Sequence, residues 1–211
     1  MITVIDYGCG NLGSIRNMLK KISAEDVRFG TTIDDVERAD RLILPGVGSY
    51  DVGMMHFRER GLETPLKKSV LEQGTPLLGI CLGMQLLLEG SEEGKEPGLG
   101  LIRGMNRRFV LPEECRLKIP HMGWNTVTPV PGNRMFAGQP EEFGFYFVHS
   151  YHACCADESL VAGWTDHGIR FASAVEQNNI WGVQFHPEKS HRYGMQLLKN
   201  FVEFGKCSES E

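Results

Sequence analysis

Along the first ninety residues, short apolar runs alternate with stretches of helical periodicity, and that alternation leaves few folds open. Ile2–Ile5, Val27–Phe29, Leu42–Leu44 and Leu77–Ile80 read as short strands, mostly apolar, with Arg28 the one charged residue among them. Runs apolar on both sides belong to sheets covered on both sides. Between them, Asn11 is placed to cap a helix over Leu12–Ile22, with Ile15, Met18, Leu19 and Ile22 on one face. Further helices are predicted over Leu66–Glu72 and through Met84–Leu88. Strands linked by helices require right-handed crossovers and a parallel sheet. The second half differs. A Gly- and Glu-rich loop, Gly90–Gly104, precedes strand candidates at Arg108–Val110, Trp124–Val127, Gly144–His149, Leu160–Trp164, Phe171–Val175 and Trp181–Gln184. These predict an antiparallel or mixed extension. A helix over Gly194–Phe204 and a polar tail finish the chain. The expected fold is α/β, with a central mixed, mostly parallel sheet flanked by helices and a β-rich second half. The 211 residues (1–211) suit a single domain with one large core.

Composition excludes several functions. The chain carries 22 basic and 27 acidic residues, a net charge of −5, so no basic stripe for nucleic acid is expected. The first residues lack a basic segment and Asp6 interrupts their apolar run, unlike a signal peptide. The uncharged stretch Gln73–Leu88 is broken by Gly, Pro and Gln and falls short of the roughly 20 apolar residues that span a bilayer. A cytoplasmic protein without a membrane partner is expected. The six cysteines are scattered, as reduced thiols are, with at most one doing chemistry. His149, His152, Cys154 and Cys155 crowd together without a metal-ligand spacing, so no metal is expected. Gly8–Gly13 fits G-x-G-x-x-G, but no acidic residue ends the second strand to hold a ribose. Glu25 and Asp26 precede that strand, and the motif reads as a Gly-rich turn.

Chemistry points to Gly79-Ile80-Cys81-Leu82-Gly83, between an apolar strand and a helix. This is the pattern of a nucleophile elbow with Cys in place of Ser. Small flanking residues permit the sharp turn, and the helix N-terminus favours a thiolate at Cys81. Gln184-Phe185-His186-Pro187-Glu188 follows the last strand. His186 is placed to take the thiol proton and return it to a leaving amine. In an extended segment, residues two apart project the same way, so Glu188 is placed to orient the imidazole. An oxyanion hole would draw one donor from the N–H of Leu82 and a second from the Gly46-Val47-Gly48 turn, through Val47 or Gly48.

These segments resemble the class I, triad-type glutamine amidotransferases. Asp6–Asn11, Leu44–Gly48, Gly79–Gln85, Pro120–Asn125, Tyr146–Tyr151 and His186–Ser190 carry the likeness. Within the family they are similar to the branch serving imidazole glycerol phosphate synthesis. The resemblance implies a flavodoxin-like fold and a triad of Cys81, His186 and Glu188. It implies that Gln85, Glu93, Ser150 and Tyr151 hold glutamine and that no cofactor is needed. It further implies a (β/α)₈-barrel cyclase partner that receives ammonia, with Met122, Trp124, Asn125, Tyr146 and Lys189 at the interface. The products would be imidazole glycerol phosphate and aminoimidazole carboxamide ribotide. Asn11–Ile15 and Lys189–Met195 look like a paralogous branch donating ammonia to amidino sugars of surface polysaccharides.

Overall fold

A computed structural model describes residues 1–205; the expected polar tail and Cys207 fall in 206–211, outside the described residues. The strands are β1 Ile2–Ile5, β2 Val27–Gly30, β3 Arg41–Leu44, β4 Leu77–Ile80, β5 Gly90–Ser91, β6 Gly104–Arg108, β7 His121–Thr126, β8 Thr128–Pro129, β9 Gly144–His149, β10 Tyr151–Cys155, β11 Val161–Asp166, β12 Arg170–Gln177 and β13 Ile180–Val183. The helices are α1 Leu12–Lys21, α2 Ile33–Glu37, α3 Tyr50–Glu59, α4 Glu63–Lys67, α5 Leu82–Leu87 and α6 His191–Glu203.

Five parallel strands run in the order β2-β1-β3-β4-β13. This is the doubly wound order, whose ligands bind beyond the carboxyl ends of the strands. Antiparallel β12 follows, then β10 and β6. β7 and β9 form a separate antiparallel ribbon.

Alternation along the central strands sorts their side chains into two cores. Leu42 and Leu44 join Tyr50, Met54 and Phe57 of α3 and Leu86 of α5 on one face. Val4, Ile43, Leu78 and Ile80 pack on the other against Ile15 and Leu19 of α1 and Leu197 and Phe201 of α6. The Phe-rich β7–β9 ribbon closes that second core through Phe145 and Phe147. Each fully buried Leu, Ile or Phe contributes about 1.5–3 kcal/mol, so both faces must be filled for the sheet to persist.

The strand expected at Arg108–Val110 lies earlier, at Gly104–Arg108. Pairing with β10 ends at Arg108, and Val110 stands exposed. The Leu66–Glu72 helix begins at Glu63 and passes into a wider, π-type turn over Lys68–Glu72. Two helices, α2 and α3, and three strands, the two-residue β5 and β8 and the longer β10, escaped the reading of the sequence. The five-residue α2 is held by a capping box between Thr32 and Asp35. In α3 the buried residues are Tyr50, Gly53, Met54 and Phe57, a helical spacing. β10 carries His152, Ala153, Cys154 and Cys155 instead of a β-branched run.

Two glycines contrast a tightly packed turn after β4 with an open position in α1. A Cβ on Gly83 would stand 1.8 Å from the carbonyl oxygen of Leu44, where no small adjustment suffices. A Cβ on Gly13, in the first turn of α1, would meet nothing within 4 Å. Gly83→Ala should therefore lower the thermal midpoint sharply or prevent folding. Gly13→Ala should raise stability by roughly 0.5–1 kcal/mol by restricting the unfolded chain. Equal midpoints for the two variants would contradict this packing.

Candidate active site

Strands β3, β4 and β13 are neighbours and parallel, so the turns after all three emerge side by side. They deliver Gly46–Gly48, Cys81 and His186 to one sheet edge. Cys81 follows β4 at the N-cap position of α5, with φ 54° and ψ −109°. A non-glycine residue held there costs on the order of 1–3 kcal/mol. Its N–H donates to the Val183 carbonyl at 2.8 Å, which ties the turn to β13. The thiol side is nearly closed to solvent, with Cys81 7% exposed.

His186 is buried behind it. Its Nδ1 lies 2.8 Å from Oε1 of Glu188. The expected extended path between the two is replaced by a short 3₁₀ turn over Pro187–Lys189. Pro187 opens that turn, where its fixed φ fits and its missing N–H is no loss. The turn curls Glu188 back onto the imidazole. Further bonds fix the segment: the His186 N–H donates to the Tyr146 carbonyl at 2.9 Å, and Ser190 Oγ donates to the His186 carbonyl at 2.6 Å. Burial opposes charge on His186, but the neighbouring Cys81 sulfur and then Glu188 outweigh it and raise the pKa to about 9. At neutral pH the ring is an imidazolium beside a sulfur, the arrangement that supports a thiolate.

A cavity of about 350 Å³ opens over these groups. Its lining brings together Cys81, His186, Val47, Gly48, Leu82, Gln85, Glu93, Ser150 and Tyr151. Glu188 stands behind His186 and does not line it. Gln85 lies one helical turn beyond Cys81 and donates through Nε2 to the Tyr151 carbonyl at 3.2 Å. Glu93 accepts from the Tyr50 N–H at 3.3 Å, and burial raises its pKa. The N–H of Leu82 points to the Gly46 carbonyl at 3.4 Å, a long bond that an incoming oxyanion would contest. The turn bearing that carbonyl is pinned by Tyr7, whose hydroxyl donates to the Pro45 carbonyl at 2.7 Å. Only glycine fits at 46, since a Cβ would lie 2.5 Å from the Tyr7 oxygen.

Beside the cavity lies the β7–β9 ribbon, which pairs Trp124 with Tyr146. Met122 and Trp124 are 62% and 51% exposed on one side of this ribbon. The Trp124 ring stacks on His191 at 5.5 Å, and the Lys189 ammonium lies over the Tyr146 ring. Asn125 differs from these neighbours: its amide turns inward, donating to the Asp166 carbonyl at 2.9 Å and toward His121 at 3.1 Å.

Sequence reasoning missed Tyr7 and the role of His149. A connected row of hydrogen bonds reveals the latter. A carbonyl only accepts, so Nδ1 of His149 donates to Tyr151 O at 2.7 Å. Its Nε2 must then accept from His121 Nδ1 at 3.0 Å, leaving His121 Nε2 to accept from Asn125. Three buried phenylalanines, Phe109, Phe147 and Phe171, surround these rings, and His167 stacks on His121 at 4.2 Å. Burial, then repulsion among the histidines, pushes His121 down to about 4; at His149, burial is again the largest influence and brings it to about 3. These neutral rings hold the Ser150–Tyr151 wall of the cavity. Among the described residues, no group of three or more His, Cys, Asp or Glu is arranged to hold a metal.

The family model described as glutamine amidotransferase class-I matches residues 3–204. An imidazole glycerol phosphate synthase subunit HisH 2 of Methanococcus maripaludis is 48% identical, over 96% of this chain and 99% of its own. A protein of the same name from Pseudomonas aeruginosa is 46% identical over the same shares. A solved glutamine amidotransferase superposes with a TM-score of 0.73 over 96% of this chain and 98% of its own. Its identity is 20%, so it speaks for the fold alone.

The neutral histidines set an acid limit. Below the ordinary value of 6.5, the unfolded chain takes up protons at His121 and His149 that the folded chain refuses. Their contribution is complete above that value and drains as pH falls toward 4. The sign is reversed for His186, whose raised pKa makes its contribution largest below 6.5 and lost toward 9. The thermal midpoint should thus fall steeply from about pH 6.5 to 4.5, before most carboxylates titrate. A flat midpoint across that interval would contradict neutral burial.

Proposed function

Because the chain belongs to the class-I glutamine amidotransferase family, we propose that it is the glutaminase subunit of an imidazole glycerol phosphate synthase. The observation that carries the glutaminase part of this reading, which is common to both branches, is the convergence of Cys81, His186 and Glu188 beneath a cavity walled by Gln85, Glu93 and Tyr151. Near-full-length relatives that bear the synthase subunit's name support it.

The Cys81 thiolate attacks the side-chain amide carbon of glutamine. A C–S bond forms and the carbonyl π pair moves to oxygen. Leu82 N–H and an N–H of the Val47–Gly48 turn receive that oxyanion. The imidazolium of His186 protonates the departing nitrogen, the C–N bond breaks and ammonia leaves. The neutral imidazole then takes a proton from water, whose oxygen attacks the thioester. The C–S bond breaks with its electron pair on sulfur, and glutamate is released. Glu188 accepts from Nδ1 throughout and supports each imidazolium stage. Substrate recognition falls to Gln85, to Glu93, whose carboxylate suits an ammonium, and to the Ser150–Tyr151 backbone.

Ammonia released into water becomes ammonium and loses its nucleophilicity, so it must pass directly to an acceptor site. A barrel-shaped cyclase docked on Met122, Trp124, Tyr146 and Lys189 would close the cavity mouth. Asn125 would serve this surface indirectly, by fixing β7 through His121. Losing one oxyanion donor costs roughly 10²–10³ in rate. If docking turns the Gly46–Gly48 peptides and frees the Leu82 N–H, glutamine is hydrolysed only when an acceptor waits.

Cys81→Ala should abolish glutamine-dependent synthesis by the complex and leave ammonia-dependent synthesis intact; surviving glutamine-dependent activity would overturn the assignment. His186→Asn should cost much more than Glu188→Gln, since one moves the proton and the other orients, and the double variant should lose less than the product of the two. Trp124→Ala should weaken partner binding by about tenfold or more while leaving the thermal midpoint near wild type. Unchanged partner affinity would remove Trp124 from the interface.

A further inference from the structure

We propose that Gln184 is a further catalytic residue, whose side-chain amide donates a hydrogen bond to the Cys81 sulfur and holds it as a thiolate. The proposal rests on the reading of Cys81 as nucleophile. Gln184 follows β13 directly, two residues before His186, and is fully buried. Its chain neighbours Val183 and Phe185 are buried apolar residues of the second core. An amide in such a setting is costly unless each polar atom is used.

Both are used. Gln184 Nε2 lies 3.8 Å from Cys81 Sγ, and Oε1 lies 3.0 Å from Gln85 Nε2. The direction of this pairing is fixed by chemistry. The nearby Tyr151 carbonyl can only accept, and Gln85 Nε2 is 3.2 Å from it. Gln85 therefore presents its NH₂ group on this side. The atom of Gln184 that meets it must be the oxygen, and the NH₂ group remains for sulfur. Turning the Gln184 amide over would set two donors against each other and leave its oxygen facing the thiolate.

A neutral donor strengthens when its acceptor is charged and water is excluded. Gln184 thus favours those states in which sulfur carries the negative charge. These are the free enzyme and the thiolate expelled when water breaks the thioester. In the thioester itself sulfur is neutral and the bond weakens. Of the titratable side chains around Cys81, His186 and Tyr7 interact with it, and Glu93, His149 and Tyr151 share its cavity. Only His186 brings positive charge, and it must give its proton to ammonia. Gln184 has no proton to lose, so its support persists when His186 turns neutral.

The test is the pH dependence of Cys81 alkylation by iodoacetamide in the full chain, followed on the Cys81 peptide by mass spectrometry. Gln184→Met and Gln184→Leu remove the donor at similar volume. In each, the alkylation curve should move up by about one pH unit, and the rate near neutral pH should fall about tenfold. Alkylation of Cys9 and Cys115 should not change. A merely structural role would alter yield or melting without moving the Cys81 curve. A wild-type curve in either folded variant overturns the proposal and leaves the nucleophile standing. A folded wild type in which Cys9 and Cys115 are alkylated and Cys81 is not would instead overturn the nucleophile reading itself.

Discussion

The parallel pairing of β3, β4 and β13 is the constraint on which the site depends. Neighbouring strands lie about 4.8 Å apart, so turns leaving their carboxyl ends cannot avoid one another. One turn supplies the Gly46–Gly48 backbone, the next Cys81, the last Gln184 and His186. Close approach then selects the residues. Gly83 admits the Leu44 carbonyl and Gly46 admits the Tyr7 hydroxyl. Cys81 tolerates its left-handed backbone because Val183, Leu44 and α5 fix the chain on every side. The strain at Cys81 is thus held by the ordinary hydrogen bonds of a sheet.

The histidines illustrate how environment, not residue type, sets the chemistry. Burial disfavours charge at His121, His149 and His186 alike. At the first two, the neighbours are aromatic rings and other imidazoles, and the rings stay neutral as hydrogen-bond relays. At His186, a thiol and a carboxylate reverse the sign. The neutral set anchors the wall at Ser150–Tyr151, while the charged one faces the cavity. Separating the two settings lets a rigid wall of neutral rings stand beside a charged imidazole.

Much of this arrangement was legible in the chain. The strands β1, β4 and β9 fall where their apolar runs end, and Asn11 caps α1 through a bond to the Ser14 N–H. The Cys81 elbow and the residues expected around glutamine share one cavity because motif spacing encodes turns at strand ends. Less legible was anything set by tertiary partners. β10 lacks β-propensity and exists because β6 and β12 flank it. At Pro187 the sequence predicts an extended path where the chain curls, since proline suits both that path and the first turn of a helix. Gln184 and Tyr7 gave no periodic signal. Each is recognisable only when the atom it bonds, Sγ of Cys81 or the carbonyl of Pro45, is seen beside it.

The central claim is that one strained, thiolate-forming cysteine meets glutamine in the cavity. The most direct measurement is incubation with a diazoketone analogue of glutamine, followed by mass spectrometry of the intact chain and its peptides. A single adduct is expected, on Cys81, formed faster than on any other cysteine and slowed by added glutamine. No adduct, an adduct on another cysteine, or labelling indifferent to glutamine would contradict it.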